Sequence, residues 1–200
     1  VTLNSIKKSV TKKTKAVVVT NTYGNMGEIY KISKFLKKKK IFLIEDAAES
    51  LGSLTYNTAS GKFGDVSTLS FQSTKNITTG EGGMVLTDNS KIAKKIKLYR
   101  SHGIHKERYK HLVFGHNFRL SNLLASIGYS QFKRTKKINE RKIHLYKQYL
   151  KYLNLNGINL QNFSINQKSI PWTFSLTLKN SFKTKKLTLF LRKNKIETRR

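Results

Sequence analysis

Two short stretches of this 200-residue chain carry residue types suited to chemistry rather than to packing. The first is Glu45-Asp46, an acidic pair directly behind the apolar run Ile41-Phe42-Leu43-Ile44. Charged groups are rarely buried unless paired, so this position implies a cationic partner nearby. Two partners are open at this point: a lysine in a structural salt bridge, or the protonated nitrogen of a bound group. The second stretch is Ser70-Phe71-Gln72-Ser73-Thr74-Lys75-Asn76, just ahead of Gly80-Glu81-Gly82-Gly83. A lone lysine in so basic a chain reads as a solvated surface residue. Lys75 stands apart because its loop joins two apolar segments and has no packing rationale of its own. A lysine so placed can bond covalently to a carbonyl carbon and, once displaced, carry a proton. Ser70 and the amides of the glycine run can hold a phosphate. The glycines are not a nucleotide P-loop, because the lysine precedes them and no Lys-Ser or Lys-Thr pair follows. They read as a turn with close backbone approach.

An amine, a carboxylate and a phosphate-binding hydroxyl are what pyridoxal phosphate requires of a protein that uses it for transamination. In that reading Lys75 bonds the coenzyme, Asp46 keeps its pyridine nitrogen protonated and Ser70 holds its phosphate. A charge-assisted hydrogen bond like that of Asp46 is worth about 1.5–3 kcal/mol.

The elements that position these residues follow from periodicity. Val17-Val18-Val19 is a β-branched run, Asn21-Thr22-Tyr23-Gly24 a turn, and Ile29, Ile32, Phe35 and Leu36 fall on one helical face. Asn25 and Glu28 have capping-box spacing, which predicts a helix start near residue 26. Lys37 to Lys40 end it favourably for the helix dipole, and Ile41 to Ile44 read as a buried strand. The resulting β-α-β unit predicts a parallel sheet with ligands beyond its carboxyl edge, where Asn21, Glu45 and Asp46 fall. Gly52 to Gly64 reads as irregular, Ser67 to Phe71 and Met84 to Thr87 as strands, Ile92 to Tyr99 as a helix, and Ser101 to Phe118 as a long connection. Ser121 caps one long or kinked helix reaching Leu150. Beyond Asn154, a loop, a strand over Phe174 to Leu178 and a helix over Lys183 to Lys193 suggest a second unit. The expected division is 1–150 for the large α/β domain and 151–200 for part of a smaller α+β one.

The net charge is +30, from 40 basic and 10 acidic residues. Such a charge is a footprint of nucleic-acid binding, but the lysines are scattered and accompanied by many Ile and Asn, the bias of an AT-rich genome. Half of the acids (Glu45, Asp46, Glu49, Asp65, Glu81) lie between residues 45 and 81. No apolar run approaches the roughly 20 residues that span a bilayer. No secretory signal is evident, so a cytoplasmic address is expected. The absence of cysteine excludes disulfides and thiolate metal sites. A start at Val rather than Met reads as a piece of a longer chain.

The run Glu45 to Ser53, then Phe63-Gly64-Asp65, then Ser70-Phe71 through Lys75-Asn76-Ile77-Thr78-Thr79-Gly80-Glu81-Gly82-Gly83-Met84, resembles the DegT/DnrJ/EryC1/StrS family of nucleotide-sugar aminotransferases. Less specific matches flank it: Thr14-Lys15-Ala16, Tyr23-Gly24, Gly115 to Ser121 and Ile196 to Arg199. The resemblance implies the aspartate-aminotransferase fold (fold type I), a homodimer with active sites at the subunit interface, and transfer of the L-glutamate amino group to a keto sugar on a nucleoside diphosphate. It places Lys75, Asp46 and Ser70 in the roles given above. It places Glu49 near the coenzyme ring oxygen and the sugar, and Asn117 on the phosphate of the other subunit. Asn21 stands where the family usually has His. A few relatives perform dehydration with His in place of the lysine, so Lys75 favours transamination. The family's lysine lies near mid-chain, which implies that much of the large domain precedes residue 1. An inactive or truncated member and a basic nucleic-acid-binding module are the competing readings.

Overall fold

Burial of one face of a lysine-rich helix builds the centre of the molecule. The computed structural model describes residues 1–107, 109–153, 157–164, 166–178 and 181–199. Helix α1 (Leu3–Ser9) is capped by the Thr2 hydroxyl, which accepts from the Ser5 amide at 3.2 Å. Strand β1 (Ala16–Thr20) leads through a 3-10 turn at Thr22–Gly24 into α2 (Ile29–Lys39), and the chain returns as β2 (Phe42–Asp46). Ile29, Ile32 and Leu36 of α2 are fully buried against Val19, Met26, Ile41 and Leu43. Each such aliphatic side chain contributes about 1.5–3 kcal/mol.

The β1–β2 pairing is parallel, from Ala16 opposite Phe42 to Thr20 opposite Asp46. After the hairpin of β3 (Leu54–Thr55) and β4 (Thr58–Ala59), strand β5 (Val66–Ser70) joins β2 in parallel, with Asp46 opposite Thr68. Strand β6 (Gly83–Leu86) then runs antiparallel to β5, giving the order β1-β2-β5-β6. The β-α-β reading therefore holds, and the carboxyl ends of β1, β2 and β5 lie side by side. Downstream come α3 (Ser90–Arg100), α4 (Asn122–Phe132), α5 (Thr135–Tyr152), β7 (Ile158–Leu160), β8 (Gln167–Lys168), β9 (Leu176–Leu178) and α6 (Ser181–Lys193). Among the described residues no helix is long and apolar enough to cross a membrane.

Local expectations fail where side chains found better partners. There is no capping box at Asn25: α2 starts at Ile29, and Asn25 Oδ1 accepts from the Gly27 amide at 2.9 Å. Glu28 instead ties α2 to α1, accepting from the Leu3 amide (2.7 Å) and pairing with Lys31 (2.7 Å). The Lys31 hydrogen bond, followed by that amide, holds its carboxyl below the usual carboxylate range. The segment 52–64 is not irregular throughout, because Tyr56 and Asn57 both take positive φ and close the β3–β4 hairpin. The long or kinked helix expected from Ser121 onward is broken at Lys133 and Arg134 into α4 and α5.

The segment 167–172 is sewn to the sheet edge. Strand β8 pairs with β3, Gln167 Nε2 donates to the Gly27 carbonyl (2.8 Å), and Ser53 Oγ accepts from the Ile170 amide (2.9 Å) while donating to the Gly24 carbonyl (3.0 Å). Gly24 is required here, with φ +88° and a Cβ that would lie 2.1 Å from the Ile170 oxygen.

Candidate active site

Strand alternation sends Glu45 and Asp46 to opposite faces of the sheet. Glu45 is fully buried, and no cation pairs with it among the described residues. Its Oε1 accepts from Asn21 Nδ2 (2.8 Å), the Gly61 amide (2.8 Å) and Ser60 Oγ (3.3 Å). Its Oε2 accepts from the amides of Phe63 (2.9 Å) and Gly64 (3.4 Å) and from Ser67 Oγ (3.3 Å). The expected cationic partner is thus replaced by neutral donors. Backbone amides brought in by the turn at 60–64 satisfy the carboxylate without a counter-ion. Gly64 permits that approach, since a Cβ there would lie 2.4 Å from the Val66 oxygen and 2.9 Å from the Glu45 amide nitrogen. Asn21 is fully buried and serves this network, which gives the position a structural use in this chain.

Asp46 faces the other way and is half-buried. Its Oδ1 accepts from the Ala48 amide (3.2 Å) and Thr68 Oγ1 (3.4 Å), and Oδ2 has no hydrogen-bond partner among the described residues. The next strand delivers the loop that carries Lys75. Phe71 opens it by donating its amide to the Gly82 carbonyl (2.8 Å), and Thr79 closes it by donating to the Phe71 carbonyl (2.8 Å). Gln131 of α4 clamps the loop from outside, accepting from the Thr78 amide (3.1 Å) and donating to its carbonyl (2.7 Å). The glycine run does bring the backbones close: a Cβ on Gly83 would meet the Leu69 oxygen at 2.7 Å.

Lys75 is not a solvated surface lysine. Its side chain is 13% exposed, with Nζ 3.6 Å from Glu49 Oε1, and Glu49 is itself only 20% exposed. The other Glu49 oxygen accepts from the Tyr23 amide at 2.9 Å. On its open side the Lys75 ammonium lies 3.9 Å from the centre of the Trp172 ring. That indole donates Nε1–H to the Thr74 carbonyl (2.9 Å) and stacks on Tyr23 at 6.0 Å and 14°, and the Trp172 main-chain carbonyl accepts from Lys142 Nζ (3.1 Å). Burial pushes the Lys142 ammonium below the usual lysine range.

Lys75, Glu49, Ser70, Asn76 and Trp172 line one cleft. Among the described residues Ser70 Oγ accepts only from the Gln72 amide (3.4 Å), and the buried Asn76 Oδ1 has no partner. Asp46 lies on the same carboxyl edge, one strand over, and is not part of the lining. Asn117 is exposed in the 101–118 connection, bridged to Ser101 and not part of the lining of this cleft. Trp172 was not legible as a site residue. The only hint was that it is the chain's sole tryptophan and follows its sole proline.

A mixed sheet whose parallel strands β1, β2 and β5 bring a half-buried lysine, carboxylates and a serine hydroxyl to one carboxyl edge is the framework expected of the sugar aminotransferases. The DegT/DnrJ/EryC1/StrS aminotransferase family model matches residues 1–200, and the chain belongs to that family. A GDP-perosamine synthase of Vibrio cholerae is 34% identical over 202 residues, covering 100% of this chain and 55% of the relative. Among solved structures, the aminotransferase TlmJ from Streptoalloteichus hindustanus superposes with a TM-score of 0.90 at 23% identity, covering 96% of this chain and 53% of that one. The E. coli GDP-4-keto-6-deoxy-D-mannose-3-dehydratase with bound hydrated PLP gives 0.87 at 26% identity, covering 98% and 55%. The fold is therefore that of the PLP-dependent sugar aminotransferases. The chain spans about half the length of the curated relatives it matches.

The groups present suit pyridoxal phosphate: an amine in Lys75, a carboxylate oxygen of Asp46 with no hydrogen-bond partner among the described residues, and a hydroxyl in Ser70.

Proposed function

We propose that the protein to which this chain belongs is a pyridoxal-phosphate-dependent transaminase that moves the amino group of L-glutamate onto a nucleoside-diphosphate-linked keto sugar. The observation that carries this reading is Lys75, 13% exposed and paired with Glu49 at the carboxyl edge of the sheet. The synthase and transaminase names of its relatives support a nucleotide-sugar substrate.

The coenzyme, when bound, supplies an electron sink for the substrate carbon. Lys75 holds the coenzyme covalently between turnovers and, once released, moves the proton at the substrate carbon. Asp46 holds a proton on the ring nitrogen through its unengaged oxygen, and Ser70 anchors the phosphate. Glu49 lies where it orients the Lys75 ammonium and meets the substrate. Asn117, exposed on its connection, fits a role in the active site of a second subunit, so the working form is a homodimer. The reading also takes residues 1–150 as part of the large domain and 151–200 as part of the small one, in a cytoplasmic enzyme.

The test is the absorbance of the full polypeptide purified with pyridoxal phosphate. Adding glutamate is expected to convert the lysine-bound spectrum to that of the pyridoxamine form, and Lys75→Ala is expected to abolish the lysine-bound spectrum. Loss of the covalent lysine is expected to lower the transamination rate by several powers of ten, each about 1.4 kcal/mol of barrier. An unchanged spectrum on adding glutamate to the wild type would favour an inactive family member.

A further inference from the structure

We propose that Glu49 and Trp172 form a docking site for the Lys75 ammonium during the part of the cycle in which that lysine is not bonded to the coenzyme. This rests on the transaminase reading above, in which Lys75 must alternate between a bonded and a released state. A released ammonium in a half-buried cleft needs a counter-charge and a surface that tolerates it, since an unpaired buried charge is costly. Both are present. The Glu49 carboxylate lies 3.6 Å from Nζ on one side, and the Trp172 ring centre lies 3.9 Å away on the other. A cation over an indole face is the most favourable arrangement of this kind.

Neither wall is free to drift. Glu49 is held by the Tyr23 amide, and Tyr23 stacks on Trp172. Trp172 is fixed by its N–H to the Thr74 carbonyl, next to Lys75 itself, and by Lys142 at its own carbonyl. The space left in the cleft is about 10 Å³. That is room for at most one water. A nitrogen bonded to the coenzyme is no longer a free ammonium, so docking against Glu49 and Trp172 and covalent attachment exclude one another. Trp172 is accordingly a positioning residue. It stabilises the released lysine, favours the pyridoxamine form, and by linkage weakens covalent attachment by the same factor.

The full polypeptide loaded with pyridoxal phosphate is titrated with glutamate at fixed 2-oxoglutarate and followed by absorbance. Trp172→Leu is expected to raise the glutamate concentration at half-conversion about threefold to tenfold, the range that cation–π attraction supplies. Trp172→Phe, which keeps a ring face, is expected to recover most of the difference. A purely structural role would lower the melting temperature without moving this ratio, so an unshifted midpoint in folded Trp172→Leu overturns the proposal. A second measurement needs no coenzyme. Lys75→Met is expected to change the indole emission, and that difference is expected to vanish when Trp172 is already Phe. Equal emission with and without the Lys75 charge overturns the docking. Failure of glutamate to convert even the wild type would overturn the transaminase reading instead, and the emission cycle would still decide whether Lys75 docks on Trp172.

Discussion

The two faces at the end of β2 carry adjacent carboxylates and treat them in opposite ways. On the inner face every lone-pair direction of Glu45 is used by neutral donors, and the group is sealed from water. On the outer face Asp46 spends one oxygen on the Ala48 amide and Thr68 Oγ1 and leaves the other uncommitted. A carboxylate whose acceptor capacity is exhausted by the fold is architecture. One with capacity to spare, on the same carboxyl edge as a half-buried amine, is available for chemistry. The pair teaches that acidic residues in a motif divide by what their oxygens already hold, not by their closeness in sequence.

The comparison is broken most forcefully at Glu45. Glu45→Ala leaves the amides of Gly61, Phe63 and Gly64 and the Asn21 side chain without their acceptor in a dry site, and each unsatisfied group costs about 1–3 kcal/mol. After partial relaxation, a loss of about 3–5 kcal/mol is expected in urea unfolding of the full polypeptide. Asp46→Asn, which keeps a carbonyl oxygen for Oδ1's two donors, is expected to change stability by less than about 1 kcal/mol while removing most of the activity. Comparable stability losses in both variants would erase the distinction.

A smaller effect sharpens the same contrast on α5, behind Trp172. Burial lowers the Lys142 pKa and raises that of Tyr146, whose hydroxyl donates to the Gln161 carbonyl. The signs oppose each other. The cost of burying the Lys142 ammonium is fully present at neutral pH and is relieved as pH rises from its lowered value toward 10.5, the range in which the unfolded chain holds the extra proton. The Tyr146 contribution is fully present below pH 10 and is lost as pH rises through its raised value. Lys142→Met is therefore expected to flatten the alkaline gain in stability, and Tyr146→Phe to flatten the loss above pH 10. Denaturation midpoints measured between pH 8 and about 11 check both.

Much of this was legible in the sequence. The β1-α2-β2 unit could be read because its apolar residues repeat with helical and strand periods, and the sheet edge followed from that topology. Asp46, Ser70 and Lys75 could be proposed because each sits in a short motif beside a strand end, and Glu49 only through the family resemblance. What stayed hidden depends on distant partners or on backbone conformation. The acceptors of Glu45 are satisfied by main-chain amides at 61–64, which carry no side-chain signature. The β3–β4 turn is made by Tyr56 and Asn57 in positive φ without a glycine to announce it. Trp172 meets Thr74 and Lys75 from almost a hundred residues away, through a strap whose attachment to Gly24 and Ser53 no local pattern reveals.

The claim on which the account turns is that the spare oxygen of Asp46 accepts the ring N–H of the coenzyme and so keeps that nitrogen protonated. The most direct measurement is the ¹⁵N chemical shift of pyridoxal phosphate labelled at its ring nitrogen, bound to the full polypeptide and to Asp46→Asn. A protonated nitrogen in the wild type that becomes unprotonated in the variant is the expected result. The same shift in both would contradict the assignment of Asp46.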